Sequence, residues 1–107
     1  MTSPREIAFE DLTPGVSADI SWTVGVEEID AFAELSGDRN PLHMDETYAR
    51  EQGFADRVVH GFLLGAKVSA LIGMFLPGRR CLLVEEGLNF PNLVYPGDEV
   101  TLSAEVV

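Results

Sequence analysis

The stretch GFLLGAKVSALIGMFL, residues 61–76, decides the fold of this chain. Apolar side chains occupy most of its positions, and most of the other positions hold small residues that permit close packing. An apolar surface on all faces is typical of a buried helix, and the Pro-Gly pair at residues 77–78 ends it. The pattern therefore predicts a central core helix over residues 61–76.

Segments on both sides of this helix have the patterns of β-strands. Apolar and polar side chains alternate over residues 18–24, after a Pro-Gly turn at residues 14–15, and this period of two is typical of a half-buried strand. Residues 81–90 and 99–107 have the composition of two longer strands. Because the strands do not alternate with helices in βαβ units, the order favours an α+β fold in which an antiparallel sheet wraps around the helix.

The length of the chain suits a single domain over residues 1–107. About three strands are few for a helix that is apolar on all faces. The sequence also ends at Val107, inside the last predicted strand. Two interpretations stay open: the chain is truncated and its C-terminal strands are missing, or a partner chain supplies the missing cover.

Two short helices and a loop are predicted between the first strand and the core helix. Residues 27–35 place apolar side chains on one face at helical spacing. Pro41 cannot continue that helix, so residues 38–43 are predicted to form a rigid loop. Asp45 then suits the N-cap of a second short helix over residues 46–52.

The charge of the chain limits its partners. Eighteen acidic and seven basic residues give a net charge of −11, which repels nucleic-acid phosphates and anionic lipids, so we expect neither nucleic acid nor a membrane as partner. One cysteine, Cys81, cannot form an intramolecular disulfide, and Cys and His do not occur at zinc spacing. The N-terminus does not resemble a signal peptide and no apolar stretch has the length of a membrane span, so the sequence predicts a cytoplasmic protein.

Asp38 and His43 form the candidate catalytic pair. They lie five positions apart across the loop that Pro41 bends, so their side chains can converge on one small volume. A carboxylate beside an imidazole can hold a water, take a proton from it and return a proton elsewhere, typically for a factor of about 10²–10⁴ in rate. The alternative is that Asp38 and Asn40 form a turn by bonding nearby amides.

A second motif, VVHG at residues 58–61, stands at the start of the core helix. The first amide hydrogens of a helix have no acceptor inside the helix and carry partial positive charge, so they attract an oxyanion. Gly61 is small enough to let a carbonyl oxygen approach its amide. For His60 we predict a supporting, structural role at the helix start.

The run FAELSGDRNPLH at residues 32–43, followed by five residues and Ala49, resembles the signature of the (R)-specific enoyl-CoA hydratases and MaoC-like dehydratases. VHG at residues 59–61, LPG at residues 76–78 and PGDEV at residues 96–100 resemble further landmarks of this family. The resemblance implies a hot-dog fold, usually as a homodimer or paired with another hot-dog chain. The sequence departs from the family in lacking the last strands of the hot-dog sheet.

The resemblance also implies a reaction. Water adds to a trans-2-enoyl thioester to give an (R)-3-hydroxyacyl thioester, or leaves in the reverse dehydration, with no cofactor and no metal. Asp38 and His43 would activate the water, and the Gly61 amide would polarise the thioester carbonyl. Ser69 stands where the family has a hydroxyl near the catalytic pair, and Asn40 would support the loop geometry.

Two other functions are compatible with this fold. One is a non-catalytic acyl-binding or assembly module paired with an active partner; the intact Asp38 and His43 argue against it, because binding alone needs no activated water. The other is thioester hydrolysis, which the spacing of the motif does not support. Between the two thioester carriers, the acidic chain favours coenzyme A over an acidic acyl carrier protein as partner.

Overall fold

The structure is a computed structural model that describes residues 2–107. After a 3₁₀ turn at Phe9–Asp11, the elements follow in the order β1 (Ser17–Thr23), α1 (Val26–Ser36), α2 (Pro41–Met44), α3 (Glu46–Glu51), α4 (Gly61–Met74) and β2 (Glu99–Glu105). Within the described residues, no helix is long and apolar enough to span a membrane.

Strands β1 and β2 pair in an antiparallel, two-stranded sheet. At one end the Gly15 amide donates to the Val106 carbonyl at 2.9 Å, and at the other the Val24 amide donates to the Asp98 carbonyl at 3.0 Å. Exposed and half-buried side chains alternate along both strands. The predicted strands over residues 18–24 and 99–107 therefore form, and they pair with each other.

Each strand begins after a Pro-Gly turn. The Val16 amide donates to the Thr13 carbonyl and the Asp98 amide donates to the Tyr95 carbonyl, both at 3.1 Å. Gly15 and Gly97 occupy the third position of these turns with φ of 97° and 94°. A type II turn needs positive φ at that position and favours proline before it, so the two Pro-Gly pairs set where the strands start.

Local signals also set the ends of the short helices. Helix α1 ends where Gly37 adopts φ 81° and donates its amide to the Ala33 carbonyl, a left-handed C-terminal cap that glycine favours. Asp45 accepts a hydrogen bond from the Tyr48 amide at 3.1 Å and so caps helix α3, as predicted.

The described chain contains two compact units. One comprises the residues up to Ser21 together with Gly65–Leu88 and Thr101–Val107, and it buries Leu71 and Leu76. The other comprises Trp22–Leu64 and Asn89–Val100. A hydrophobic core lies inside this second unit, and its buried members are Val24, Ile29, Val59 and Leu63.

The predicted rigid loop over residues 38–43 is wrong at its C-terminal end, because helix α2 begins at Pro41. Proline suits the first position of a helix, where the missing amide hydrogen would have had no acceptor. Asn40 caps this turn, since its side-chain oxygen accepts from the Leu42 amide at 3.0 Å. The prediction treated Pro41 as the end of one helix and overlooked that it starts another.

The predicted strand over residues 81–90 does not form. No residue from Arg79 to Asp98 belongs to a strand, and Leu82 and Val84 are 86% and 88% exposed. A strand is stabilised by hydrogen bonds to a neighbour and by burial of one face, and the described chain provides neither for this segment.

Helix α4 forms as predicted but ends at Met74, and its faces differ in burial. Leu63 and Leu71 are buried, whereas Phe62 is 71% exposed. The described chain offers two hydrogen-bonded strands to a helix that is apolar all round, so part of its surface stays open to solvent.

Candidate active site

Asp38 lies just after the glycine that ends α1, and local hydrogen bonds fix its backbone. Its amide donates to the Ser36 hydroxyl at 3.1 Å, and its Oδ1 accepts from the Asn40 amide at 3.2 Å. The turn chemistry considered from the sequence is therefore present. It occupies one carboxylate oxygen, while the other, Oδ2, lies 3.8 Å from His43 Nε2.

His43 lies on α2 with its side chain 16% exposed. Its Nδ1 is 2.6 Å from the Val58 carbonyl oxygen, and because a carbonyl can only accept, Nδ1 carries the hydrogen. In the neutral ring, Nε2 is then left with a lone pair on the side of Asp38. The 3.8 Å between Nε2 and Asp38 Oδ2 is too long for a direct hydrogen bond and is compatible with a water that bonds to both.

His60 lies beneath this pair and contacts both members. It is 2% exposed, and its Nε2 donates to the Asp38 carbonyl oxygen at 3.0 Å. Its ring stacks on the His43 ring with centroids 3.9 Å apart and meets Phe32 edge-on. The supporting role predicted for His60 thus has a geometric basis in the Asp38 loop as well as at the helix start.

The ligand atoms of Asp38, His43 and His60 lie within 4.8 Å of one another, a composition that suits a metal ion. Histidine binds a metal through a lone pair in the plane of its ring, at about 2.0–2.1 Å for zinc. The two imidazoles are stacked at an interplanar angle of 24°, so their planes do not meet near the site. In this arrangement the two rings cannot bind one ion together.

Gly61 opens helix α4 and lines a cavity of about 160 Å³ together with His43. Most of the other lining residues are apolar: Val58, Val59, Leu64, Phe90, Leu93 and Val94, with Asn92 as a further polar group. A Cβ atom at position 61 would lie 2.8 Å from the Phe90 ring, so glycine is the residue that fits there. The first amides of α4 thus lie beside an apolar cavity that His43 also lines.

The remaining predicted residues have different positions. Asn40 caps α2 and so fixes the turn that carries His43. Ser69 is exposed on α4 and belongs to the other compact unit, so its predicted hydroxyl role stays a prediction.

Sequence reasoning missed Arg57, whose Nε donates to the His43 carbonyl at 2.6 Å. The available signal was weak: an isolated basic residue directly before the apolar VVHG motif of an acidic chain.

The comparisons with known proteins agree on one family. The sequence profile of the MaoC like domain matches residues 11–107. The (R)-specific enoyl-CoA hydratase of Aeromonas caviae is 41% identical over 100 residues, which cover 94% of this chain and 75% of that protein. The 3-hydroxybutyryl-CoA dehydratase of Methylorubrum extorquens is 35% identical over 102 residues, which cover 95% of this chain and 65% of that protein.

A solved structure resembles the chain equally well. The (R)-hydratase from Aeromonas caviae, described as involved in PHA biosynthesis, superposes with a TM-score of 0.86 at 41% identity. The match covers 90% of this chain and 73% of that one. It confirms the α+β hot-dog fold predicted from the sequence.

Proposed function

Since the chain belongs to the MaoC-like domain family, we propose that it adds water to a trans-2-enoyl-CoA to give an (R)-3-hydroxyacyl-CoA, or catalyses the reverse dehydration. The observation that carries the proposal is the 3.8 Å gap between Asp38 Oδ2 and His43 Nε2. It brings a carboxylate and an imidazole to the distance at which both can hold one water. Gly61 lines the same cavity as His43, so a thioester has a place beside this water.

The mechanism follows from where each group can act. A thioester oxygen next to Gly61 accepts from the amide at the start of α4, where the helix dipole adds partial positive charge. Charge drawn onto that oxygen makes carbon 3 of the enoyl group electrophilic. Water held by Asp38 and His43 adds there and gives up a proton, and a proton is delivered to carbon 2. Asp38 and His43 act as a coupled pair, so neither is assigned as the separate acid or base.

The two supporting residues act on geometry. Asn40 caps the helical turn that carries His43, and His60 donates to the Asp38 carbonyl and stacks on the His43 ring. Ser69 is proposed, from the family resemblance, as a hydroxyl that assists the water. Ser69 lies exposed on α4.

The partner chain and the cellular location of the protein are proposals as well. A second hot-dog chain, most simply a second copy, is the proposed partner of the segment that contains Leu82 and Val84, which are 86% and 88% exposed. Apolar side chains exposed together in this way mark an interaction surface in soluble proteins. A cytoplasmic location stays a prediction.

Hydration of crotonyl-CoA tests the function, because the absorbance of the conjugated enoyl thioester is lost when water adds. The cavity of about 160 Å³ is smaller than the roughly 300–1,000 Å³ typical of clefts for drug-sized ligands, so a short acyl group is the appropriate probe. We expect Asp38→Asn and His43→Ala each to lower kcat by about 10²–10⁴. Asp19→Asn, an exposed carboxylate on β1, is the matched control and should retain full activity.

The same reaction mixture reveals the stereochemistry of the product and distinguishes the alternative functions. An (R)-specific 3-hydroxyacyl-CoA dehydrogenase should oxidise the product, whereas the (S)-specific enzyme should not. Release of free coenzyme A would instead show thioester hydrolysis. A folded chain that binds crotonyl-CoA and leaves its absorbance unchanged would favour the acyl-binding module over the enzyme.

A further inference from the structure

We infer that Arg57 is a positioning residue for the reaction: it holds the main chain of His43 so that the imidazole faces Asp38. The inference rests on the proposed function, and it concerns a residue that neither the sequence motif nor the family resemblance indicates. Arg57 precedes the VVHG motif and lies outside every helix and strand. Its side chain is 14% exposed, which is unusual for an arginine.

The guanidinium of Arg57 makes two short hydrogen bonds in different directions. Its Nε donates to the His43 carbonyl oxygen at 2.6 Å, and its Nη2 donates to Asp30 Oδ1 on α1, also at 2.6 Å. The same Nη2 lies 3.8 Å from the sulfur of Met44, the last residue of α2. Arg57 therefore links the C-terminal end of the short helix α2 to the longer helix α1.

This link completes a set of bonds around His43. The neighbouring Val58 accepts from His43 Nδ1 at 2.6 Å and donates its amide to the Leu42 carbonyl at 3.0 Å. Residues 57 and 58 thus hold the backbone of α2 on one side and the ring of His43 on the other. Val58 takes part in these bonds through its main chain, whereas Arg57 bonds the His43 carbonyl through its side chain, so a substitution at Arg57 can remove that bond without changing the backbone.

A short helix needs such support. Helix α2 has four residues, a length at which hydrogen bonds within the helix do not stabilise it alone. A charged donor to the carbonyl at its C-terminal end is favourable, because these carbonyls lack donor partners inside the helix. Arginine suits the position because its planar group offers several donors in fixed directions, which lysine does not.

Arg57 lies outside the proposed substrate cavity. Arg57 is not among the described residues that line the cavity at Gly61, so its removal should leave substrate affinity nearly unchanged. It acts on the orientation of a residue that holds the reacting water. A displacement of about 1 Å in such a group costs about 10²-fold in rate. The expected signature is a loss in kcat with little change in KM.

The test compares Arg57→Ala and Arg57→Lys with Arg50→Ala, each in the full chain. Arg50 is the matched control because it is also an arginine with an ion pair and a bond to a backbone carbonyl, but its side chain is 62% exposed and its partners, Glu46 and the Ala55 carbonyl, lie outside α2. We expect Arg57→Ala to lower kcat for crotonyl-CoA hydration by about 10–10²-fold with KM within about twofold. Arg57→Lys should recover part of the loss, and Arg50→Ala should match the parent.

A second readout does not depend on activity. The Nδ1 hydrogen of His43, bonded to the Val58 carbonyl, should give a downfield imidazole resonance in proton NMR that is protected from exchange. This protection should fall in Arg57→Ala and persist in Arg50→Ala. If no variant and no parent hydrates any enoyl-CoA, the proposed function fails, and the resonance alone still decides whether Arg57 positions His43.

The outcomes that overturn the inference are specific. Unchanged kcat and unchanged protection in folded Arg57→Ala would show that the bond to the His43 carbonyl does not orient the ring. A rise in KM at constant kcat would show that Arg57 serves binding instead. Should Arg57→Ala fail to fold, Arg57→Lys decides, because full kcat or full protection in that variant would contradict the need for the fixed arginine geometry.

Discussion

Asp38 uses its two carboxylate oxygens for different tasks. Oδ1 closes the turn with the Asn40 amide, and Oδ2 lies toward His43. This division explains how a Gly-Asp-x-Asn-Pro stretch can form a good turn and still serve in the proposed catalytic site, since the turn fixes the carboxylate without occupying it fully. His43 is constrained in the same manner, because its Nδ1 is committed to the Val58 carbonyl and its Nε2 is left for the water.

His60 offers the sharpest test at the scale of single residues. His60→Gln keeps a donor near the position of Nε2 but removes the stacked ring, whereas His60→Leu removes both. A hydrogen bond of this kind contributes about 0.5–1.5 kcal/mol, so we expect His60→Leu to lower both the melting temperature and kcat more than His60→Gln does. Thermal denaturation and crotonyl-CoA kinetics measure the two effects. Equal kcat in both variants would show that the bond to the Asp38 carbonyl does not matter.

Helix α4 supports a prediction at the scale of an element, because glycines stand near both of its ends. A Cβ at Gly61 would lie 2.8 Å from the Phe90 ring, which lines the cavity beside Gly61, while a Cβ at Gly73 would meet nothing within 4 Å. Gly61→Ala should therefore push the ring into the cavity and raise KM for crotonyl-CoA. Gly73→Ala should leave the kinetics unchanged and stabilise the helix by up to about 0.5–1 kcal/mol, the usual gain over glycine.

Both variants replace a glycine of α4 by alanine, so the difference between their kinetics isolates the contact with Phe90. Chemical denaturation gives the change in free energy of unfolding, and initial rates give KM. If Gly61→Ala binds crotonyl-CoA as the parent does, the contact between position 61 and Phe90 does not affect substrate binding. Phe90→Leu, combined with Gly61→Ala, should restore KM because the smaller side chain leaves room for the added methyl group.

The sequence predicts elements well where the signal is local. The Pro-Gly turn at residues 14–15, the Asp45 cap and the alternation in β1 each depend on a few neighbouring residues, and each is present in the structure. The segment over residues 81–90 fails because strand formation depends on a pairing partner, which composition alone does not reveal. Helix α2 was missed because one proline serves both to exclude and to start a helix.

The same distinction holds for the candidate site. Asp38 and His43 are visible in the sequence because they lie five positions apart in one motif, and the structure brings them together. Arg57 contacts His43 although the two residues are fourteen positions apart in the chain. The residues next to Arg57 form no motif that would indicate this contact. Contacts of that range are set by how the loop before α4 packs on α2, so they require the three-dimensional structure.

At the scale of the whole molecule, charge opposes the proposed substrate. The chain has a net charge of −11, and coenzyme A carries several phosphates, so long-range repulsion should raise KM at low ionic strength. Screening shortens this repulsion, because the Debye length falls from about 30 Å at about 0.01 M salt to about 8 Å at about 0.15 M. KM for crotonyl-CoA should therefore fall several-fold over this range while kcat stays constant.

Crotonyl-pantetheine separates this effect from any change in the protein itself, because it presents the same thioester and lacks the phosphates of coenzyme A. Its KM should stay within about twofold over the same salt range, since an uncharged substrate is not subject to the long-range field. A KM for crotonyl-CoA that rises with salt would reverse the argument. It would mean that basic side chains such as Arg79, which is exposed, attract the phosphates strongly enough to outweigh the net charge. Arg79→Ala should then abolish the salt dependence for crotonyl-CoA and leave crotonyl-pantetheine unaffected.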